Sequence, residues 1–268
     1  MPNVALGLYS YAQFGVCALA FMPIMGVAWH QHRHDPTQRV PGRWMRRFGR
    51  ATCGLSPIWK FAIEGDAPAD VSHRAYVVVS NHESTADPFL LAHLPWDMRW
   101  VAKEEIFKLP VIGRLMKYGG DIPLRRGDRS SVVTMMAECR RTLAHGVSIM
   151  MFPEGTRSTD GSLGRFKPGA FELAIAARVP VLPIAIAGTR ACRPKGSVWF
   201  DKAYAIARVL EPLPTDRLGL EDVPTLSDRA RDRISSTLPG LRDRVAEATR
   251  RQDAPYLLTP SATAGPAT

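Results

Sequence analysis

Apolar positions crowd the start of the chain. From Val4 to Trp29 no residue is charged, and as a helix rising about 1.5 Å per residue the run would be roughly 39 Å long. That length covers a hydrocarbon core of about 30 Å. Gly7, Gly15, Pro23 and Gly26 interrupt the run, Pro23 predicts a kink, and Tyr9, Tyr11 and Gln13 make its first half more polar. The pattern therefore predicts either a span or a helix held in one leaflet. Met1-Pro2-Asn3 lacks the basic start of a signal peptide. A second pattern follows: Trp44, Met45, Phe48, Ala51 and Leu55 recur at roughly helical spacing, with arginines between them. This predicts an amphipathic helix, lying either on an anionic surface or with its apolar stripe on the globular domain.

From residue 71 the periods alternate between two and 3.6, so strands and helices should alternate. Expected strands are Ala75–Ser80, Met98–Ala102, Ile122–Leu124, Val147–Phe152, Val181–Ala187 and Trp199–Val209. Expected helices are Asp87–His93, Glu104–Tyr118 (broken by Pro110 and Gly113), Ser130–His145 closed by Gly146, and Ala170–Arg178. Residues 225–251 read as a surface helix interrupted at Pro239-Gly240. This order predicts an α/β fold, a mixed and mostly buried sheet flanked by helices, with an N-terminal membrane-associated helical segment. The expected organisation is an anchor and basic helical region over 1–65, an α/β domain over 66–253, and a disordered tail over 254–268 rich in Pro, Thr, Ser and Ala.

Composition narrows the partners. The 268 residues are 46% hydrophobic, which excludes general disorder, and carry a formal net charge of +10. Nucleic acid, an anionic membrane surface or a polyanionic substrate would each suit that charge. The flank Arg33, Arg39, Arg43, Arg46, Arg47 and Arg50 follows the apolar run directly. If the run crosses a membrane, this flank and the domain behind it belong on the cytoplasmic face. Cys17, Cys53, Cys139 and Cys192 are far apart and form no CxxC, which argues against a zinc ribbon and fits buried thiols in a reducing compartment. His30, His32 and His34 alternate, but the stretch reads as juxtamembrane rather than as a metal site.

The candidate chemistry lies where the first expected domain strand ends, in Asn81-His82-Glu83-Ser84-Thr85-Ala86-Asp87-Pro88. On a straight helix, residues five apart point about 140° away from each other, so His82 and Asp87 can meet only across a turn. A strand end, polar residues and a helix-starting Pro88 supply one. The Asp87 carboxylate could then accept from His82 Nδ1–H and leave Nε2 as a base. Such a pair can take the proton from an attacking alcohol, so no nucleophile elbow is needed, and GxSxG is not present.

NHESTAD resembles the N-H-x4-D signature of the glycerolipid acyltransferase family, the 1-acyl-sn-glycerol-3-phosphate acyltransferases and their relatives. Four further resemblances follow in order. Lys103, Ile106, Gly113 and Arg126 match the spacing of the family's second block, with Ile for Leu; Phe152 to Ser158 reads FPEGTRS; Phe166-Lys167-Pro168-Gly169 and Val179 to Ile184 match its later elements. The resemblance covers about residues 75–190. It implies transfer of a fatty acyl group from acyl-CoA or acyl carrier protein to a lysophospholipid, with His82 and Asp87 catalytic. It also implies that Lys103, Arg126, Gly155, Thr156 and Arg157 hold the acceptor's phosphate, which suits the planar guanidinium fork. Glu154 would brace an arginine or accept a glycerol hydroxyl. The expected partners are membrane lipids, the lysophospholipid acceptor and the thioester donor; nucleic acid is not expected, and neither a metal nor an organic cofactor is implied. Alternatives are another acceptor such as a lyso-ornithine lipid, a thioesterase or other hydrolase, and a non-catalytic lipid-binding module.

Overall fold

A computed structural model describes residues 4–158, 160–193 and 196–251. The tail expected to be disordered lies outside the described residues. Helix α1 (Val4–Gln31) and α2 (Arg39–Gly54) come first. Strands β1 (Trp59–Glu64) and β2 (Val77–Ser80), helix α3 (Asp87–Leu91) and strand β3 (Met98–Lys103) follow. Then come α4 (Glu104–Phe107), α5 (Ile112–Tyr118), β4 (Ile122–Leu124), α6 (Arg129–Ala144) and β5 (Ser148–Met151). Helix α7 (Gly169–Ala177), β6 (Val181–Ala187), α8 (Thr189–Cys192), β7 (Ala203–Val209) and α9 (Val223–Arg251) follow within the described residues.

The strands form one sheet in the order β1-β7-β6-β2-β5-β3-β4. Every neighbouring pair is parallel except β6 with β7. The central strands β2, β5 and β6 are buried at every position, as expected where helices cover both faces. Alternation divides their side chains between two cores. Val77, Val79, Ile149 and Val181 face Met135 and Leu143 of α6, Phe171 of α7, and Ala230 and Ile234 of α9. Val78, Met150, Leu182 and Ile184 face Leu90 and Leu91 of α3 and the following Trp96. Asp128 caps α6 through the Ser130 and Ser131 amides.

Helix α1 does not stand away from the domain. Phe14, Cys17, Ala18, Phe21 and Met25 pack on Phe48 of α2 and Leu115 of α5. Trp29 lies against Tyr118, and at the other end Tyr11 meets Trp199 and Phe200. Its far side leaves Val4, Leu8, Val16, Leu19 and Val27 exposed. The helix is long and apolar enough to cross a membrane by length and composition.

Four expectations need correction. Strand β1 falls inside the stretch assigned to the N-terminal region, yet it pairs with β7 and so belongs to the sheet. Its Trp59-Lys60-Phe61-Ala62-Ile63 alternation was the available signal, hidden by a partner strand some 140 residues away. Helix α9 runs through Pro239 because Leu238 and Leu241, on either side, are anchored in the core. The expected strand from Trp199 begins only at Ala203; Trp199 and Phe200 instead cover Tyr11 and Trp59. The arginines of α2 do not simply face a surface: Arg46 is buried on Asp97.

Candidate active site

Strands β2, β5, β3 and β4 are parallel neighbours, so the residues after each strand emerge on one edge of the sheet. That edge is where α/β folds build sites. It collects His82 after β2, the Phe152–Ser158 segment after β5, Lys103 at the end of β3 and Arg126 after β4. At about 4.8 Å per strand, Lys103 lies roughly 10 Å along the edge from His82 and Arg126 roughly 14 Å.

The turn at His82 is held by the backbone. Asn81 prolongs the pairing of β2 with β6: its amide donates to the Ile186 carbonyl at 2.8 Å and accepts from the Ile186 N–H at 2.8 Å. The His82 carbonyl accepts from Ser158 N–H at 2.8 Å, and the His82 N–H donates to Glu154 Oε1 at 2.8 Å. With its main chain gripped on both sides, His82 turns its ring toward Asp87, the first residue of α3. His82 Nδ1 and Asp87 Oδ2 are 2.6 Å apart. The same oxygen accepts the N–H groups of Glu83 at 2.9 Å and Ser84 at 3.0 Å. Asp87 is fully buried, while 16% of the His82 side chain reaches solvent. A carboxylate holding Nδ1–H leaves Nε2 as the free nitrogen. The ring is stacked on Phe152, with centroids 4.0 Å apart and planes 16° apart.

Glu154 corrects an expectation. Its second oxygen accepts the Gly164 N–H at 2.8 Å, so both oxygens hold backbone rather than an arginine fork. Burial raises its pKa. Gly155 adopts φ +70°, and a Cβ there would come within 2.8 Å of Lys167 Nζ, so the turn is pressed against a cation. Arg157 is half-buried and Thr156 exposed beside it. Lys103 pairs with Glu105 at 3.1 Å, and Arg126 is exposed.

Three further residues belong to this site. Asn81 and Phe152 lie inside quoted blocks, so only their roles were hidden. Glu83 is 5% exposed and accepts the Gly188 N–H at 3.1 Å, tying the turn to the start of α8. Burial first, and the nearby Asp87 charge second, push its pKa up to about 7.

An acyltransferase family model matches residues 61–187, from within β1 to the end of β6. The chain is 41% identical over 147 residues to 1-acyl-sn-glycerol-3-phosphate acyltransferase LPAT1, chloroplastic, of Arabidopsis thaliana, covering 55% of this chain and 41% of that protein. It is 37% identical over 158 residues to the human 1-acyl-sn-glycerol-3-phosphate acyltransferase alpha, covering 58% and 56%. The chain thus spans about half the length of the curated relatives it matches. The crystal structure of PlsC, the 1-acyl-sn-glycerophosphate acyltransferase of Thermotoga maritima, superposes with a TM-score of 0.70 at 26% identity, over 87% of this chain and 96% of that one. With its ordered sequence blocks, matched domain and shared fold, the chain carries an acyltransferase domain similar to that of the glycerolipid acyltransferases.

Proposed function

We propose that this protein transfers a fatty acyl group from a thioester donor to the free hydroxyl of 1-acyl-sn-glycerol 3-phosphate, giving phosphatidic acid. The observation that carries the reading is the His82–Asp87 contact of 2.6 Å on an edge shared with Lys103, Arg157 and Lys167. His82 Nε2 takes the proton of the acceptor hydroxyl as its oxygen attacks the thioester carbonyl. The tetrahedral intermediate collapses, the C–S bond breaks, and the imidazolium returns the proton to the leaving thiolate. Asp87 holds the ring in the needed tautomer and stabilises the imidazolium. Arg157 and Lys103 take the acceptor's phosphate, with Gly155 and Thr156 letting the backbone approach and Arg126 reaching in from the outer strand. Acyl-CoA and acyl carrier protein are both acidic, and either suits the cationic edge as donor.

The apolar outer face of α1 supports a pose in which the helix lies in one leaflet with the domain against it. We place the domain on the cytoplasmic face, where anionic lipid meets the arginine flank.

The test supplies labelled acyl-CoA, or acyl carrier protein carrying the same chain, with lysophosphatidic acid. Wild type is expected to form phosphatidic acid and His82→Ala to lose it. Free fatty acid as the main product would replace this reading with a hydrolase, and lipid binding without turnover would replace it with a non-catalytic module. Arg157→Ala should raise the acceptor KM far more than the donor KM; equal effects would remove its phosphate role.

A further inference from the structure

The arginines of α2 form something other than a surface stripe. Arg39, Arg43, Arg46 and Arg50 recur every three or four residues and so share one side of the helix. With Arg47 they line a cavity of about 410 Å³, closed on its other side by Ser72, His73 and the segment around Asp97. Asp97 immediately precedes β3, and Ser72 and His73 precede β2. The cavity therefore lies at the sheet edge opposite the His82–Asp87 pair.

Its charge does not balance. Asp97 takes Arg39 Nη1 at 3.3 Å, Arg43 Nε at 3.4 Å and Arg46 Nη2 in a short contact. Arg50 spends its donors on the Ala92 and Leu94 carbonyls. Five guanidinium groups thus share one carboxylate among the lining residues, an excess of four positive charges. Arg99, buried nearby, adds another cation, partly offset by Asp121. Burial lowers the pKa of Arg46 despite the charge of Asp97, and burial followed by the charges of Arg46 and Arg47 lowers that of Arg50.

A second observation points the same way. Arg46 is 8% exposed and Trp96 2%, and both line the cavity. Arg46 Nη1 and Trp96 Nε1 are buried donors without an acceptor among the described residues. Both atoms are themselves closed to solvent, so the wall behind the cavity holds donor capacity that no described acceptor takes up. Phosphate oxygens match guanidinium forks two at a time, and the cavity falls within the size range of ligand sites.

We propose that this cavity binds a phosphomonoester anion at a site separate from the catalytic edge. The ligand is either the phosphomonoester headgroup of a phospholipid, as in phosphatidic acid, or a soluble phosphate. This site does not depend on the proposed reaction, because it uses no residue of the His82 edge.

The test uses the full chain in detergent, with inorganic phosphate as probe and calorimetric titration as readout. Wild type, His82→Ala and Arg157→Ala should all bind phosphate. In the Arg157→Ala background, which weakens phosphate binding at the catalytic edge, adding Arg43→Gln with Arg47→Gln should weaken the remaining binding at least about tenfold, the scale of one charge-assisted contact. Arginine labelling by phenylglyoxal in the unsubstituted chain reads the same site without a folding risk: phosphate should protect Arg43 and Arg47. Flotation on phosphatidylcholine vesicles with and without phosphatidic acid then separates the sources. Loss of the phosphatidic acid effect in the double variant assigns a lipid headgroup; an unchanged effect beside lost phosphate binding assigns a soluble phosphate. Phosphate binding that is unchanged by the double substitution in the Arg157→Ala background, absence of binding by wild type, or labelling that phosphate does not slow would each overturn the proposal.

Discussion

His82 and Asp87 meet through a single oxygen. Asp87 Oδ2 accepts Nδ1 and two backbone N–H groups, so the carboxylate is positioned by the turn it also stabilises. Asp87→Asn should keep the fold but lower turnover about 10²–10⁴-fold, because an amide cannot favour the imidazolium; steady-state acyl transfer checks it. Glu83 makes a different prediction. Its pKa rises from 4.5 to about 7 on folding, chiefly through burial. Between those values the unfolded chain has already released the proton that the folded chain keeps, so stability must fall as pH rises through this window, by about 3 kcal/mol from this group. Burial also raises Asp121 to about 7, with the same sign. Glu83→Gln should flatten part of the fall in Tm between pH 5 and 7, measured by thermal unfolding in buffers of equal ionic strength; an unchanged slope would refute the assignment.

Among the elements, α2 has two contrasting sides. Trp44, Met45 and Phe48 pack toward α1, while the arginine stripe converges on Asp97. Both readings of its amphipathic pattern therefore had part of the answer, and spacing alone could not say that a carboxylate 51 residues beyond Arg46 would draw it inward. Removing one partner of a buried pair is far more damaging than forming the pair is helpful. Asp97→Ala should therefore destabilise the chain by about 3–5 kcal/mol, read from urea unfolding. Gly188, which immediately precedes α8, has φ +96°, and a Cβ there would stand 2.1 Å from the Tyr204 carbonyl oxygen. Gly188→Ala should displace α8, loosen its hold on Glu83 and lower Tm by several degrees in the same thermal assay.

For the whole molecule, the fold assigns each of its surfaces a different environment. One edge of the sheet carries the dyad, the opposite edge the arginine cavity, and α1 runs beside the domain with an apolar face outward. Val16 and Leu19 are 67% and 62% exposed on that face. Val16→Lys with Leu19→Lys should leave the secondary structure intact by circular dichroism yet shift the chain from vesicles to the soluble fraction. Each buried lysine opposes apolar insertion by about 2.5–3.5 kcal/mol at a membrane centre, and less at an interface. Unchanged flotation would exclude α1 as the membrane contact.

The sequence by itself determined the α/β class and the central buried strands through local signals, and the His82–Asp87 pair through its turn together with the ordered blocks that resemble a known family. A β-branched run must be buried, and a strand end followed by polar residues and Pro88 must turn within a few residues. It could not reveal β1 as part of the sheet, the turning of Glu154 to two backbone amides, or the meeting of three arginines on Asp97. Those facts are set by which distant segments become neighbours. Hydrogen bonds and charges act over a few ångströms of space, and separation along the chain does not say which residues that distance will contain.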